Sequence, residues 1–179
     1  MLRLRPYKPQ DAEYIAEWIV DEKQYYQWSA DRMNDYPLTS QKLNAHYEEC
    51  GKSDCFWVMT AIDEAGIPRG QMIMRFLDEE KNDLRFGFII VDSAVRGKGY
   101  GKEMLQLAIR YAFEILRVKR VSLGVFANNP GAAYCYAAVG FKERAEKSRY
   151  QVKVNLSTGE EIWECVELEL FPPSKHGII

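Results

Sequence analysis

Arg96-Gly97-Lys98-Gly99-Tyr100-Gly101 is the part of this chain best suited to chemistry. It follows an apolar, β-branched run from Leu84 to Val91 that reads as a buried strand, and it precedes a helical pattern. A strand that feeds a glycine-rich loop and then a helix start is a device for holding phosphate. Glycines let the backbone approach a ligand and turn its N–H groups toward one point, and the helix N-terminus adds partial positive charge. The spelling excludes two common versions of that device. No glycine precedes Gly101-Lys102 at the P-loop distance, and Glu103 stands where that motif needs Ser or Thr for magnesium. Gly97 and Gly99 fit the dinucleotide fingerprint, but Lys102 occupies the place of its third glycine. What remains is Arg-x-x-Gly-x-Gly.

A second block lies downstream. Val121–Ala127 reads as another strand, Asn128-Asn129-Pro130-Gly131 turns the chain, and Ala132–Val139 is a short helix ending at Gly140-Phe141. Together the blocks resemble the GNAT superfamily of acetyl-CoA-dependent N-acetyltransferases. The resemblance is carried by Val91, Arg96, Gly99 and Gly101 in the first, and by Asn129, Ala132, Tyr136, Gly140 and Phe141 in the second. It is closest from about Leu84 to Phe141.

The resemblance implies an α/β (α+β) fold: a mixed, mostly antiparallel sheet with helices on both faces. The strand ending at Val91 and the strand starting at Val121 run parallel and splay apart, and the splayed pair receives CoA. By the same analogy the pantetheine arm pairs with backbone at Ile89, Ile90 and Val91, as a strand added to unpaired N–H and C=O groups. The amides of Gly97, Lys98, Gly99, Tyr100, Gly101 and Lys102 hold the pyrophosphate, and Arg96 and Lys98 add charge pairing. Asn129 contacts the cofactor or caps the helix begun at Pro130. Tyr136, seven positions after the Asn, lies near the cofactor sulfur, where a phenol of pKa ~10 gives a proton to the departing thiolate. Acetyl-CoA is thus the cosubstrate, no metal is implied, and direct transfer to an amine in a ternary complex is preferred over a Cys135 acyl intermediate. Transfer of another acyl group, or a non-catalytic CoA-binding module, are the alternatives.

The general base is less legible. Many relatives carry a Glu two residues before the glycine of this strand, whereas here the pattern reads Arg85-Phe86-Gly87-Phe88. Arginine stays protonated and is no base. Arg85 either pairs with a neighbouring acid or binds a carboxylate on the acceptor. The aromatic segment Tyr25–Tyr36 is the candidate acceptor wall, with Trp28, Asp31 and Asp35 as its named residues, suited to a cationic or amphipathic amine. His46, Cys50 and Cys55 fit no common zinc spacing.

The remaining elements must position these residues. Leu2–Pro6 reads as a strand. Asp11 starts a helix with the stripe Ala12, Ile15, Ala16 and Ile19, and Tyr25–Leu38 reads as irregular. Thr39 or Ser40 caps a helix through Glu49, and Phe56–Ile62 and Gln71–Leu77 are strands. The helix after the glycine loop sets Leu105, Ala108, Ala112 and Ile115 on one face, and Tyr150–Leu156 with Ile162–Leu170 form a hairpin. Residues 1–179 are expected to form one domain. A net charge of −2 argues against a nucleic-acid partner. No apolar run spans a membrane, no secretory leader is seen, and four cysteines follow no framework spacing, so a cytoplasmic protein with reduced thiols is expected. Its partner is a small amine or a peptide amino group, and a homodimer is in keeping with the family.

Overall fold

The computed structural model describes residues 1–30, 32–33 and 36–173. Strands β1 (Arg3–Pro6), β2 (Phe56–Ile62), β3 (Pro68–Phe76) and β4 (Asp83–Val91) pair antiparallel in chain order. β4 then pairs in parallel with β5 (Arg120–Phe126). β5 lies antiparallel to the end of β8 (Gly159–Leu170), which also carries β6 (Lys142–Glu143) and β7 (Arg149–Leu156). Helices α1 (Asp11–Trp18), α2 (Glu22–Ser29) and α3 (Ser40–Cys50) cover one face, packing Ile15, Trp28 and Leu43 with Ile73 and Phe88. Helices α4 (Tyr100–Arg110) and α5 (Pro130–Ala138) cover the other, where Met104, Leu105 and Tyr136 meet Met72, Met74 and Phe86. Because both faces are covered, β3 and β4 read as near-continuous apolar runs. This is the mixed, mostly antiparallel sheet expected from the sequence. No helix among the described residues is long and apolar enough to cross a membrane.

Two expectations need correction. Tyr25–Leu38 is not irregular throughout, because its first part belongs to α2. Asp21 accepts a hydrogen bond from the Gln24 amide at 2.7 Å, and Gln24 Oε1 accepts from the Val20 amide at 2.9 Å. This reciprocal exchange starts a helix much as a capping box does. It places Tyr25 and Trp28 on one inward face and ends at Ala30 in the left-handed conformation. Ile115 is not on the buried stripe either, since it is 67% exposed. Tyr111–Ile115 forms a π-helical turn, whose wider ring rotates Ile115 away from the face that Leu105, Ala108 and Ala112 share.

β4 holds a bulge. Gln71 pairs with Ile90 but Ile73 pairs with Gly87, so β4 carries one residue more than β3 across that interval, and Phe88 has a φ of 47°. Leu84 and Phe86 consequently point to the α4–α5 face, whereas Phe88 and Ile90 point to the α1–α3 face. Trp28 Nε1 donates to the Phe88 carbonyl at 2.8 Å and pins this reversal.

Asp11 ties the first strand and helix to β2. The carboxylate is 1% exposed and accepts from Arg5 at 2.7 and 2.8 Å, from the Lys8 amide at 3.0 Å and from Thr60 Oγ1 at 2.8 Å. Burial alone would raise its pKa, but these donors outweigh burial and hold it below the ordinary carboxylate value. Asp11→Ala orphans all of them and should cost about 3 kcal/mol, or roughly 6–12 °C in Tm by calorimetry. The depressed pKa means that this stability is present above the unfolded-state pKa of about 3.9 and is lost as pH falls through the folded-state value. The variant's acid limb should therefore be flatter than wild type's.

Candidate active site

β4 and β5 keep only three paired positions, Asp83 with Arg120, Leu84 with Val121 and Arg85 with Ser122. Beyond Arg85 the strands part, and a cleft of about 960 Å³ opens between them. Among the described residues the β5-facing backbone edge of β4 then has no sheet partner, and Ile89, Ile90 and Val91 line the opening. An exposed edge of this kind can take up an extended chain by hydrogen bonding.

The glycine loop forms one end of the cleft, to which Arg96, Gly97, Gly99, Tyr100, Gly101 and Lys102 contribute. Gly97 and Gly99 have φ of 77° and 87°, the left-handed region that glycine enters without strain. A Cβ on either would meet no atom within 4 Å, so it is the turn and not crowding that needs glycine. The turn delivers the chain into α4, whose first amides have no intrahelical acceptor. Among the described residues the amides of Gly97, Gly99, Tyr100 and Gly101 have no partner. Gly101 has a different reason to be glycine: a Cβ there would lie 3.2 Å from Cys135 Sγ, so its absence lets α5 approach α4. The Arg96 side chain is exposed and has no ion pair among the described residues, and partial desolvation of its guanidinium pushes its pKa down. An unpaired cation beside free amides is the donor set that a pyrophosphate needs, so the cradle fits the phosphates of CoA.

Lys98 departs from this group. Its amide donates to the Val95 carbonyl at 3.3 Å and its side chain does not line the cleft, because the two flanking left-handed glycines turn it outward. Asn129 caps α5, its Oδ1 accepting from the Ala132 amide at 3.2 Å, and it also lines the cleft. Trp28 lines the cleft as well, while holding the β4 bulge.

Tyr136 sits on α5, 7% exposed, with its ring edge-on to Phe141 at 6.3 Å. Its hydroxyl has no hydrogen-bond partner among the described residues, and the residue lines the cleft. Burial pushes the phenol pKa up, and the neighbouring Cys135 adds to the shift, so Tyr136 stays protonated at neutral pH. Burial likewise raises Cys135, although Lys102 opposes it, and a thiol held protonated is a poor nucleophile.

Arg85 lies outside the cleft. Its fork is filled by Glu167, with NH1 at 2.6 Å from Oε2 and NH2 at 2.8 Å from Oε1, and Tyr150 donates to the same carboxylate at 3.0 Å. Burial opposes both charges, but the bidentate pair prevails, leaving Arg85 raised and Glu167 lowered. Gly124 makes room for the pair, since a Cβ there would stand 2.9 Å from the Arg85 guanidinium. Asp31 and Asp35 lie outside the described residues.

α2 is what sequence reasoning missed. Val20, Asp21, Lys23, Gln24 and Gln27 form a wall of the cleft, and Gln27 Nε2 donates to the Asn128 carbonyl at 3.0 Å on the opposite side. The usable signal was Asp21 with Gln24 three residues on.

Comparison with known proteins bears on the family and the fold. Residues 1–142 match the family model for the acetyltransferase (GNAT) domain. A probable N-acetyltransferase of Bacillus subtilis (strain 168), YjcK, is 28% identical over 160 residues, covering 85% of this chain and 86% of the relative. Spermine/spermidine N(1)-acetyltransferase of the same strain is 38% identical over 56 residues, and the match spans only 37% of that relative's length. Among solved structures, spermidine N-acetyltransferase from Vibrio cholerae, in complex with CoA and spermine, superposes with a TM-score of 0.75 at 18% identity, covering 95% of each chain.

Proposed function

The chain belongs to the acetyltransferase (GNAT) domain family, and from that premise we propose that it moves the acetyl group of acetyl-CoA to a primary amine by direct attack in a ternary complex. The carrying observation is that one cleft joins a glycine loop with unpartnered amides, an unpaired strand edge and a phenol without a hydrogen-bond partner among the described residues. Bound acetyl-CoA supplies an activated acyl thioester. The loop amides and Arg96 hold its phosphates, β4 aligns its arm, and Tyr136, kept protonated, donates to the sulfur as it leaves. α2 and Trp28 close the wall and limit water.

Deprotonation of the amine is left to something other than the β4 position. Arg85 holds its proton, and Glu167, with its pKa depressed by Arg85, is a weak base. An α-amine of pKa ~8 therefore suits this site better than a lysine-type amine of ~10.4. The names of the relatives make polyamines a second acceptor class worth testing. Thiol release from acetyl-CoA, run with panels of amino acids, polyamines, aminoglycosides and N-terminal peptides, tests the reading. Turnover with one class, and slower turnover with propionyl-CoA, is the expected result. Tight acetyl-CoA binding without release on any panel would favour a non-catalytic CoA-binding module.

A further inference from the structure

A second cavity, of about 350 Å³, opens on the α1–α3 face and shares Phe88 with the cleft. Arg32 and Arg75 line it, and among the described residues no Asp or Glu does. Neither arginine has an ion pair among the described residues. Arg75 stands directly across the strands from Arg85, whose charge is already matched by Glu167. Burial, then the like charges of Arg32 and Arg85, push Arg75's pKa down against the smaller opposing pull of Glu167. His46 also lines the cavity, and burial lowers its pKa, so it brings no positive charge of its own near neutral pH. In a chain of net charge −2 this is a local surplus of cations, and Glu167, the acid among the described residues whose charge reaches Arg75, is already held by Arg85. Like charges on paired strands weaken a sheet, so stability does not account for the arrangement, whereas a guanidinium fork aimed into a cavity suits carboxylate or phosphate.

We propose that this cavity anchors the acceptor, and that the acceptor is a small anionic primary amine whose carboxylate or phosphate is held by Arg75 and Arg32 while its amine reaches past Phe88 to the cleft. The proposal rests on the acetyl-transfer reading and names its substrate class. A polycation would meet the wrong charge here.

The test compares acetyl-CoA turnover with three matched sets: amino acids against their amides, phosphoethanolamine against ethanolamine, and spermidine. The anionic member should be favoured at least tenfold in kcat/KM, and the better of the first two sets identifies carboxylate or phosphate as the anchored group. Arg75→Gln should raise the KM for the anionic amine about thirtyfold while leaving the KM for acetyl-CoA and the turnover of the neutral amine unchanged. Arg32→Gln should act the same way and more weakly, being exposed. Preference for spermidine or a neutral amine, or equal loss on all acceptors in a variant of unchanged Tm, would overturn the proposal. If the protein binds CoA and acetylates nothing, the enzyme reading fails, and the cavity is judged by thermal shift with the same anionic amines. A shift lost in Arg75→Gln upholds it, and no shift in wild type overturns it.

Discussion

Tyr136→Phe is expected to lower kcat about a hundredfold, the lower end of what a positioned acid contributes, with the KM for acetyl-CoA and the Tm unchanged. The substitution is chosen because it removes one atom and keeps the ring. The packing of Tyr136 against Phe141 survives it, and no hydrogen bond among the described residues is lost. A fall in kcat therefore reports the hydroxyl alone. The raised pKa of the phenol fixes the direction of proton movement: the group is protonated at every pH at which the fold persists near neutrality, so it is an acid and not a base. Unchanged kcat with lowered stability would instead make Tyr136 a core aromatic, and would leave the departing thiolate to be protonated by water.

The site is legible in the sequence where backbone conformation dictates residue type. Gly97 and Gly99 hold left-handed turns that favour glycine, and Asn129 with Pro130 suits a helix start, so both spacings are visible in one dimension. The splay of β4 from β5 is not visible in that way. It is a failure of pairing between residues 35 or more apart, and it came only through the family resemblance. The β4 bulge is hidden for a related reason. With both faces of the sheet covered, Leu84–Val91 reads as one apolar run, and a reversal of facing at Phe88 leaves the hydrophobic pattern unaltered.

Charge partners were the least legible feature. Arg85 and Glu167 are far apart in the chain, and what brings them together is β5 lying between β4 and β8 with Gly124 as its gap. The same topology sets Arg75 across from Arg85, so one arginine is neutralised and the other is left facing a cavity. The sequence allowed Arg85 either an acid partner or an acceptor carboxylate; the structure gives it the acid partner, whose identity the chain order did not reveal. The α2 wall was missed because its aromatic residues suggested a loop, while the capping pair Asp21 and Gln24 lay outside the segment.

Gly99→Val should raise the Kd for acetyl-CoA about a hundredfold, or ~2.7 kcal/mol, measured by calorimetry. A β-branched side chain resists positive φ, so valine pulls the residue toward negative φ and turns the neighbouring amides off their common point. The added Cβ itself brings no clash, because a Cβ at Gly99 meets nothing within 4 Å. Two companions isolate this cause. Gly99→Asn, which tolerates the left-handed region, should lose affinity only a few-fold. Gly66, with φ of 81° and equally open space around it, sits in the turn between β2 and β3, away from the cleft. Gly66→Val should therefore lower Tm by a similar amount and leave CoA affinity intact. Equal loss of affinity in both valine variants would mean that strain anywhere in the fold weakens binding, and the loop would lose its claim as the phosphate cradle. Loss confined to Gly99→Val would tie affinity to the direction of the backbone amides at the start of α4.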